Sequence, residues 1–414
     1  MTAGTPTEVA ATEAVQTVLG PVAADDLGIT SAHEHLHIDL SCWFDPPAEG
    51  DAEAARLAGL RVRADDPALI AAVRANPFAV HDNLLLDDEE TAAAEVARFR
   101  DAGGRTIVDL TTDELGRDPA ALARVARRTG VNVVMGCGHY IGRSHPPGLA
   151  ERGVAALAEG MIRDLAEGVA VYGDEGPGRV RAGAIGEIGT SDPIEPRERV
   201  VLEAACCAQL ATGVALYVHL DPWGRAGHAA LDICEAAGVA PERVVLCHMD
   251  PSLAGGDLSY ARSLALRGAW VSIDICGDED AYGGRGMPTD AQRVATVRAA
   301  FDEGWGDRLM LAQDVCLKSQ LHAFGGRGYD HLLTGIAPAL RAAGLPEQAV
   351  VELLVDHPRR VLVGGGPGTG ARASRERSEP GNPVPGAGSE SDAGNRAGAG
   401  SQAGAGSGAE RNPA

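Results

Sequence analysis

The 414-residue chain is predicted to fold as an α/β protein, a (β/α)8 TIM barrel. Three observations carry that expectation. Short β-branched runs alternate with Ala/Leu/Arg-rich stretches through eight strand–helix units. Five of the intervening helices end at a glycine (Gly130, Gly213, Gly238, Gly268 and Gly344), the residue that most readily closes a helix in the left-handed conformation. The rival architecture, an open doubly wound sheet, usually carries a Gly-rich phosphate turn after its first strand. Here the first strand carries histidines instead.

The strand expectations, in order, are 29–38, 105–111, 132–139, 182–189, 215–221, 244–250, 270–275 and 309–315. Each is a run rich in Val, Ile, Thr or other apolar residues, followed by a helix-forming stretch. Those helices are expected over 88–102, 118–129, 149–167, 195–212, 225–237, 253–267, 289–303 and 329–343. A long insertion, 41–87, follows the first strand and contains Asp45-Pro46-Pro47, Asn76-Pro77 and a short helix near 67–74. Loops of this length are often lids or substrate walls, and a plain connecting excursion is the equal alternative. Residues 1–13 are expected to be a flexible N-terminus and 14–364 the barrel. The composition changes after Gly364: residues 365–414 hold 13 glycines and a single bulky aliphatic, Val384. Such a segment cannot offset the entropy of ordering and is expected to be a disordered Gly/Ser/Ala-rich tail.

Composition excludes several functions. The formal charge of −22 argues against nucleic acid or an anionic membrane as the partner, since both need clustered cations. Lys318 is the one lysine. It follows Leu317, so there is no Walker A loop, and a Schiff-base enzyme would have to use Lys318 itself. Eight cysteines are scattered without a CxxC pair, which suits reduced thiols and a cytoplasmic location. No apolar run of 18 residues and no secretion signal are visible.

Chemistry concentrates at the predicted strand ends. The first strand reads Ser31-Ala-His33-Glu-His35-Leu-His37, and alternation puts His33 and His35 on one face. His37 shares that parity, so a His35/His37 pair stays open. Strand 4 ends at Glu187, strand 5 at His219, strand 6 at His248 and strand 8 at Asp314. The spacings of 32 and 29 residues from Glu187 to His219 to His248 fit βα units of about 30 residues. In a barrel these ends converge on one mouth. Six ligands are too many for one catalytic zinc with an open position; they suit two divalent ions sharing a carboxylate. Tyr140 follows strand 3 and is expected over the metals or in mouth packing. His139 has the wrong parity, His228 lies on a helix, and Cys247 should face away from its neighbour His248. Cys316 reads as a loop thiol. Arg143, Arg225, Arg285, Arg327 and Lys318 lie on the mouth side, where one or two could meet a substrate anion.

At these residues the sequence resembles the phosphotriesterase-related branch of the amidohydrolase superfamily, over about residues 14–364. The likeness runs through Val18-Leu-Gly-Pro21, the His-Glu-His strand, Gly103-Gly104-Arg-Thr-Ile-Val-Asp109, Gly116-Arg-Asp-Pro119, Gly138-His-Tyr140, Gly186-Glu-Ile-Gly-Thr190, His248-Met-Asp250, Gly326-Arg-Gly-Tyr-Asp330 and Pro358-Arg-Arg360. The resemblance implies a binuclear metal centre, usually zinc. His33, His35 and Asp314 would hold one ion and His219 and His248 the other. Asp314 would be the base or proton shuttle; Asp250 would pass that proton outward or fix His248. Many family members bridge the ions with a carboxylated lysine on strand 4, whereas Glu187 stands here, as in the glutamate-bridged homologues. The strand-7 turn Asp274-Ile-Cys-Gly277 lacks the arginine found in quorum-lactone hydrolases of the family. The implied activity is a hydrolase in which a bridging hydroxide attacks a lactone or carboxylic ester of a small-molecule substrate. The alternatives are an N-acyl amide hydrolase, a weak phosphotriesterase, and a metal-bearing barrel that binds without turnover. The chain leaves room for a homodimer.

Overall fold

The structure is a computed structural model and describes residues 13–173, 176–253, 255–282 and 284–363. The expected flexible N-terminus up to residue 12 and the expected 365–414 tail lie outside the described residues.

Eight parallel strands form the barrel. β1 (Thr30–Glu34) pairs with β2 (Thr106–Asp109), and β2 with β3 (Asn132–Met135). β4 (Ile185–Gly189), β5 (Leu216–His219), β6 (Val244–Leu246), β7 (Trp270–Ile273) and β8 (Leu309–Leu311) pair in that order. Two seams close the ring through backbone hydrogen bonds. Gly186 N donates to Cys137 O at 2.7 Å, and Asp314 N donates to His33 O at 3.1 Å. Helices Glu89–Asp101, Pro119–Thr129, Gly153–Ala166, Pro196–Thr212, Gly227–Ala237, Ser259–Leu266, Asp290–Asp302 and Ala337–Ala342 follow the strands in turn. This is the (β/α)8 barrel. The five helix-ending glycines all have φ between 73° and 106°, as their role as stop signals requires.

Strand residues are buried because helices cover the outer face and a second core fills the inside. The inner core includes Val108, Leu110, Val134, Tyr217, Val245 and Met310. Val15, from the hairpin Ala14–Thr17/Gly20–Ala23, and Val361 and Leu362, from the helix His357–Leu362, join that core. Gly183 is forced by this packing: a Cβ there would meet Gln16 O at 2.2 Å. Among the described residues, no helix is long and apolar enough to cross a membrane.

Most strands, β4 excepted, end earlier than expected, and at β6 and β8 the reason is local. His248 and Asp314 adopt φ of 59° and 47°, which ends the extended backbone before the predicted limits. The continuation of β1, Ile38–Asp39, leaves the barrel and pairs antiparallel with Leu85–Leu86. The expected 253–267 helix divides into Asp250–Leu253 and Ser259–Leu266. The hairpins Val169–Gly173/Gly176–Val180 and Ala281–Tyr282/Arg285–Gly286 and the helical run from 347 to 362 were not expected. In that run Pro358, which has no amide hydrogen to donate, comes directly after the wider turn Glu352–Asp356.

Candidate metal centre

The six expected ligand residues all come to the C-terminal mouth of the barrel. His33 lies on β1 with His35 just beyond it, Glu187 lies on β4, and His219 ends β5. His248 and Asp314 sit just past β6 and β8. Glu187 Oε1 is 2.5 Å from His248 Nε2, 2.7 Å from His219 Nδ1 and 3.6 Å from His33 Nε2. Asp314 Oδ1 is 3.1 Å from His35 Nε2 and 3.7 Å from His33 Nε2, and its Oδ2 is 3.7 Å from His248 Nδ1.

These residues fit cations. The donor atoms of His33, His35 and Asp314 lie within 4.8 Å of one another, as do those of His33, Glu187 and His248. His33 Nε2 is buried without a hydrogen-bond partner, although it points at this cluster, and buried polar atoms are rarely left so. In the metal-free chain, protons balance the carboxylates. Burial opposes charge on His33, but Glu187, Asp274 and Asp314 outweigh it and carry its pKa from 6.5 up to about 9. Burial likewise opposes charge on His248, and Asp274 and Glu187 still raise it well above its ordinary value. Burial would raise Glu187, yet His219, His33 and His248 pull it well below the usual carboxylate range.

The histidines are oriented by outer partners. Thr111 Oγ1 lies 2.9 Å from His35 Nδ1. Asp274, fully buried just past β7, spans two ligands. Its Oδ2 is 3.1 Å from His33 Nδ1, and its Oδ1 accepts from His248 N at 2.8 Å and lies 3.1 Å from His248 Nδ1. Such partners fix tautomer and ring direction. The sequence reading used Asp274 only to separate subgroups. The signal for its role was an acid just past strand 7, where the neighbouring strands place their ligands.

Asp250 stands one step further out. It accepts from Asp274 N at 2.9 Å and from Arg293 Nε at 2.7 Å. It therefore holds Asp274, where the sequence reading set it beside His248 or on a proton path. Cys247 needs a correction as well. It was expected to face away, but its thiol groups with His33 and Asp274 within 4.8 Å, on the floor of the same site. The positive φ of His248 ends the alternation on which that expectation relied.

Other candidates separate cleanly. His37 Nδ1 lies 3.3 Å from Gly116 O, His139 pairs with Glu114, and His228 Nε2 is 2.7 Å from Ser263 Oγ. Lys318 Nζ donates to Asp82 Oδ1 at 2.9 Å and so ties its loop to the 41–87 insertion.

Above the cluster is a pocket walled by aromatics. Trp43 and Phe78 come from the 41–87 insertion, Tyr140 follows β3, Trp223 follows β5 and Tyr282 follows β7. They form a connected arch. Tyr140 lies 4.7 Å from the His219 ring and receives Trp43 Nε1 at 3.2 Å; Trp43 stacks on Phe78 at 5.5 Å. Phe78 meets Tyr282 at 5.2 Å, and Tyr282 meets Trp223 at 5.8 Å. Burial, followed by the charge of Glu187, raises the Tyr140 phenol well above its ordinary pKa, so it stays a neutral hydroxyl. Among the described residues lining this pocket there is no Lys or Arg. Arg143 and Arg285 are nearby but lie over the Trp43 and Trp223 rings, at 4.2 and 5.3 Å from the centroids.

The family model described as "Phosphotriesterase family" matches residues 13–362. The N-acetyltaurine hydrolase of Danio rerio is 34% identical over 355 residues, 84% of this chain and 97% of that protein. A crystal structure of a resiniferatoxin-binding protein from Rhodobacter sphaeroides superposes with a TM-score of 0.78 at 37% identity, covering 86% of this chain and 97% of that one. The phosphotriesterase homology protein of Escherichia coli, solved with phosphate in its active site, superposes with a TM-score of 0.66 at 30% identity, covering 82% of this chain and 99% of that one.

Proposed function

The chain belongs to the phosphotriesterase family of hydrolases, and we propose that it hydrolyses uncharged carboxylic esters or lactones with the help of two divalent metal ions, zinc by family resemblance. His33, His35 and Asp314 would hold one ion and His219 and His248 the other, with Glu187 shared. When bound, such ions lower the pKa of water and polarise a carbonyl.

The observation that carries the reading is the setting of Asp314. Its side chain is 16% exposed, against 0–6% for its partners His33, His35, His219, Glu187 and His248. It thus faces both the imidazoles and the open pocket. A carboxylate there can accept the proton of an attacking water and deliver it to the leaving oxygen. The aromatic arch excludes water and packs the apolar part of the substrate. Five of the chain's fifteen aromatic residues line this one pocket, in a protein otherwise built from aliphatic side chains.

The 34% identity to an N-acetyltaurine hydrolase favours a second reading, hydrolysis of an N-acyl amide. The same pocket bears on it. A sulfonate would be expected to meet a cation, and no Lys or Arg lines the described wall. A neutral amide fits the wall better than a sulfonated one. The test is a panel assay on zinc-reconstituted protein: neutral aryl esters, lactones, neutral and sulfonated N-acyl amides, and a phosphotriester. Fastest turnover is expected on a neutral ester or lactone. A sulfonated amide as the best substrate, or tight binding without any turnover, overturns the proposal.

A further inference from the structure

We propose that Glu34, the middle residue of His33-Glu34-His35, is a positioning residue that holds Asp314 in its working geometry. The inference rests on the role given to Asp314 above.

Asp314 has φ of 47°, in the left-handed region that side chains with a Cβ seldom enter. Such a conformation persists only where the surroundings over-determine it. Here the surroundings are β1. Asp314 N donates to His33 O at 3.1 Å. On either side of it, Gln313 N donates to Glu34 Oε1 at 3.1 Å and Val315 N donates to Glu34 Oε2 at 2.9 Å. Three successive amides around the strained residue are therefore pinned to two successive residues of one strand.

The clasp is closed on itself. Glu34 Oε1 also accepts from Gln313 Nε2 at 2.9 Å and from Ser31 Oγ at 2.5 Å. Gln313 in turn donates to Tyr329 O at 2.7 Å and accepts from Leu332 N at 2.7 Å, while the Tyr329 hydroxyl donates to His35 O at 2.7 Å. Glu34 is fully buried and does not line the pocket. It acts through Asp314, not on substrate. The contacts show the division of labour. His33 and His35 point at the Asp314 carboxylate, while Glu34 reaches across the β1–β8 seam to the amides of Gln313 and Val315 on either side of that residue. One strand thus sets both ends of the same residue.

The test is a double-mutant cycle in the full chain. Glu34→Gln keeps the length of the side chain but turns one acceptor oxygen into a donor facing donors. Asp314→Asn removes the carboxylate being positioned. Two readouts are taken: kcat and KM on a neutral aryl ester, and the affinity of metal-free protein for cobalt(II), followed by its visible absorbance. Glu34→Gln is expected to lower kcat and cobalt affinity each by about 10–100-fold, the range for residues that orient ligands, with KM little changed. Added to Asp314→Asn, it should cost nothing further, because its whole effect passes through that carboxylate. Equal losses in both backgrounds would mean general structural support and would overturn the proposal, as would wild-type cobalt affinity in Glu34→Gln. Cobalt binding needs no substrate, so it judges Glu34 even where wild type turns over no ester, the result that would refute the proposed reaction instead. If Glu34→Gln does not fold, Ser31→Ala, which removes one bond to Oε1, should give a smaller loss that also vanishes in the Asp314→Asn background. Wild-type values in Ser31→Ala would then count against the clasp.

Discussion

Asp274→Asn puts the proposed metal centre under a defined stress, because the geometry dictates how the amide must sit. Oδ1 faces two groups of His248, the backbone N–H at 2.8 Å and Nδ1 at 3.1 Å. That atom must stay oxygen, since an NH2 there would oppose two donors. The new nitrogen therefore replaces Oδ2, 3.1 Å from His33 Nδ1. Its N–H donates to Nδ1, so in the neutral ring the proton must move to Nε2. Nε2 is the atom aimed at Glu187 and Asp314, and a protonated Nε2 cannot ligate a cation. To bind metal, His33 must force the unfavourable donor-to-donor arrangement and forgo a hydrogen bond to a charged group. Such a bond is worth about 1.5–3 kcal/mol, which corresponds to a loss of roughly 10- to 150-fold in affinity. His33 belongs to the proposed ligand set of one ion, with His35 and Asp314, so the loss should fall first on that ion. Zinc or cobalt titration of metal-free Asp274→Asn, with kcat/KM on the best neutral ester, measures the loss. Wild-type metal affinity in this variant would refute the tautomer argument and with it the positioning role of Asp274.

Three further outcomes are expected. Asp314→Asn keeps the shape of the side chain but removes its basicity, so kcat should fall by at least about 10²-fold; retained turnover at full metal content would remove Asp314 from the chemistry. Glu187→Gln should lose metal and activity together, while wild type holds about two ions per chain and reloads without added bicarbonate, having no carboxylated lysine to rebuild. Elemental analysis decides it, and unchanged stoichiometry in the variant, or one tightly held ion in wild type, would redraw the site. The third outcome concerns pH. In the metal-free chain His33 is raised from 6.5 to about 9, so metal must displace a proton at neutral pH. Apparent affinity should climb from pH 6.5 towards 9, and calorimetry in buffers of different ionisation heat should detect proton release on loading at pH 7. The contribution of protonated His33 to metal-free stability is full below 6.5 and lost as pH rises through about 9, so the metal-free Tm should fall across that interval. Loading without proton release at pH 7 would contradict the assigned charge state.

The barrel and the meeting of the six candidate residues at its mouth were legible because each depends on a short stretch of chain. A β-branched run, a residue at its end and a repeat near thirty residues are all local patterns. Asp274 and Glu34 were not legible in this way. Asp274 meets His33 across 241 positions of sequence, and Glu34 meets Gln313 across 279. Their partners include backbone amides, which carry no side-chain signature. Alternation also failed at a definite place. It predicts side-chain faces only while the backbone stays extended, and it stops at His248 and Asp314, the two non-glycine residues of positive φ among the described residues. The reading of Cys247 went wrong at that point. The length of the 41–87 insertion left a wall, a lid and a plain connection equally open, and the meeting of Phe78 with Tyr282, between two loops of the mouth, required the closed barrel.

The positive φ at His248 and Asp314 and the buried acids around them have a common consequence. Glu187 and Asp274 are 2% and 0% exposed, and both pair with histidines. Asp250, by contrast, is matched to the guanidinium of Arg293. A buried carboxylate must be balanced, and permanent arginine charge would do so at every pH. Imidazoles balance it conditionally: protonated, they neutralise the acids; deprotonated, they present lone pairs to a cation that takes over the same task. The chain thus places its fixed ion pair at the β7 end and its exchangeable charges where the proposed metal ions would enter. Replacing His248 by Arg would supply permanent charge to Glu187 and Asp274. It should leave a folded barrel that binds at most one ion, and two ions bound by His248→Arg would show that charge exchange is not what the histidines provide.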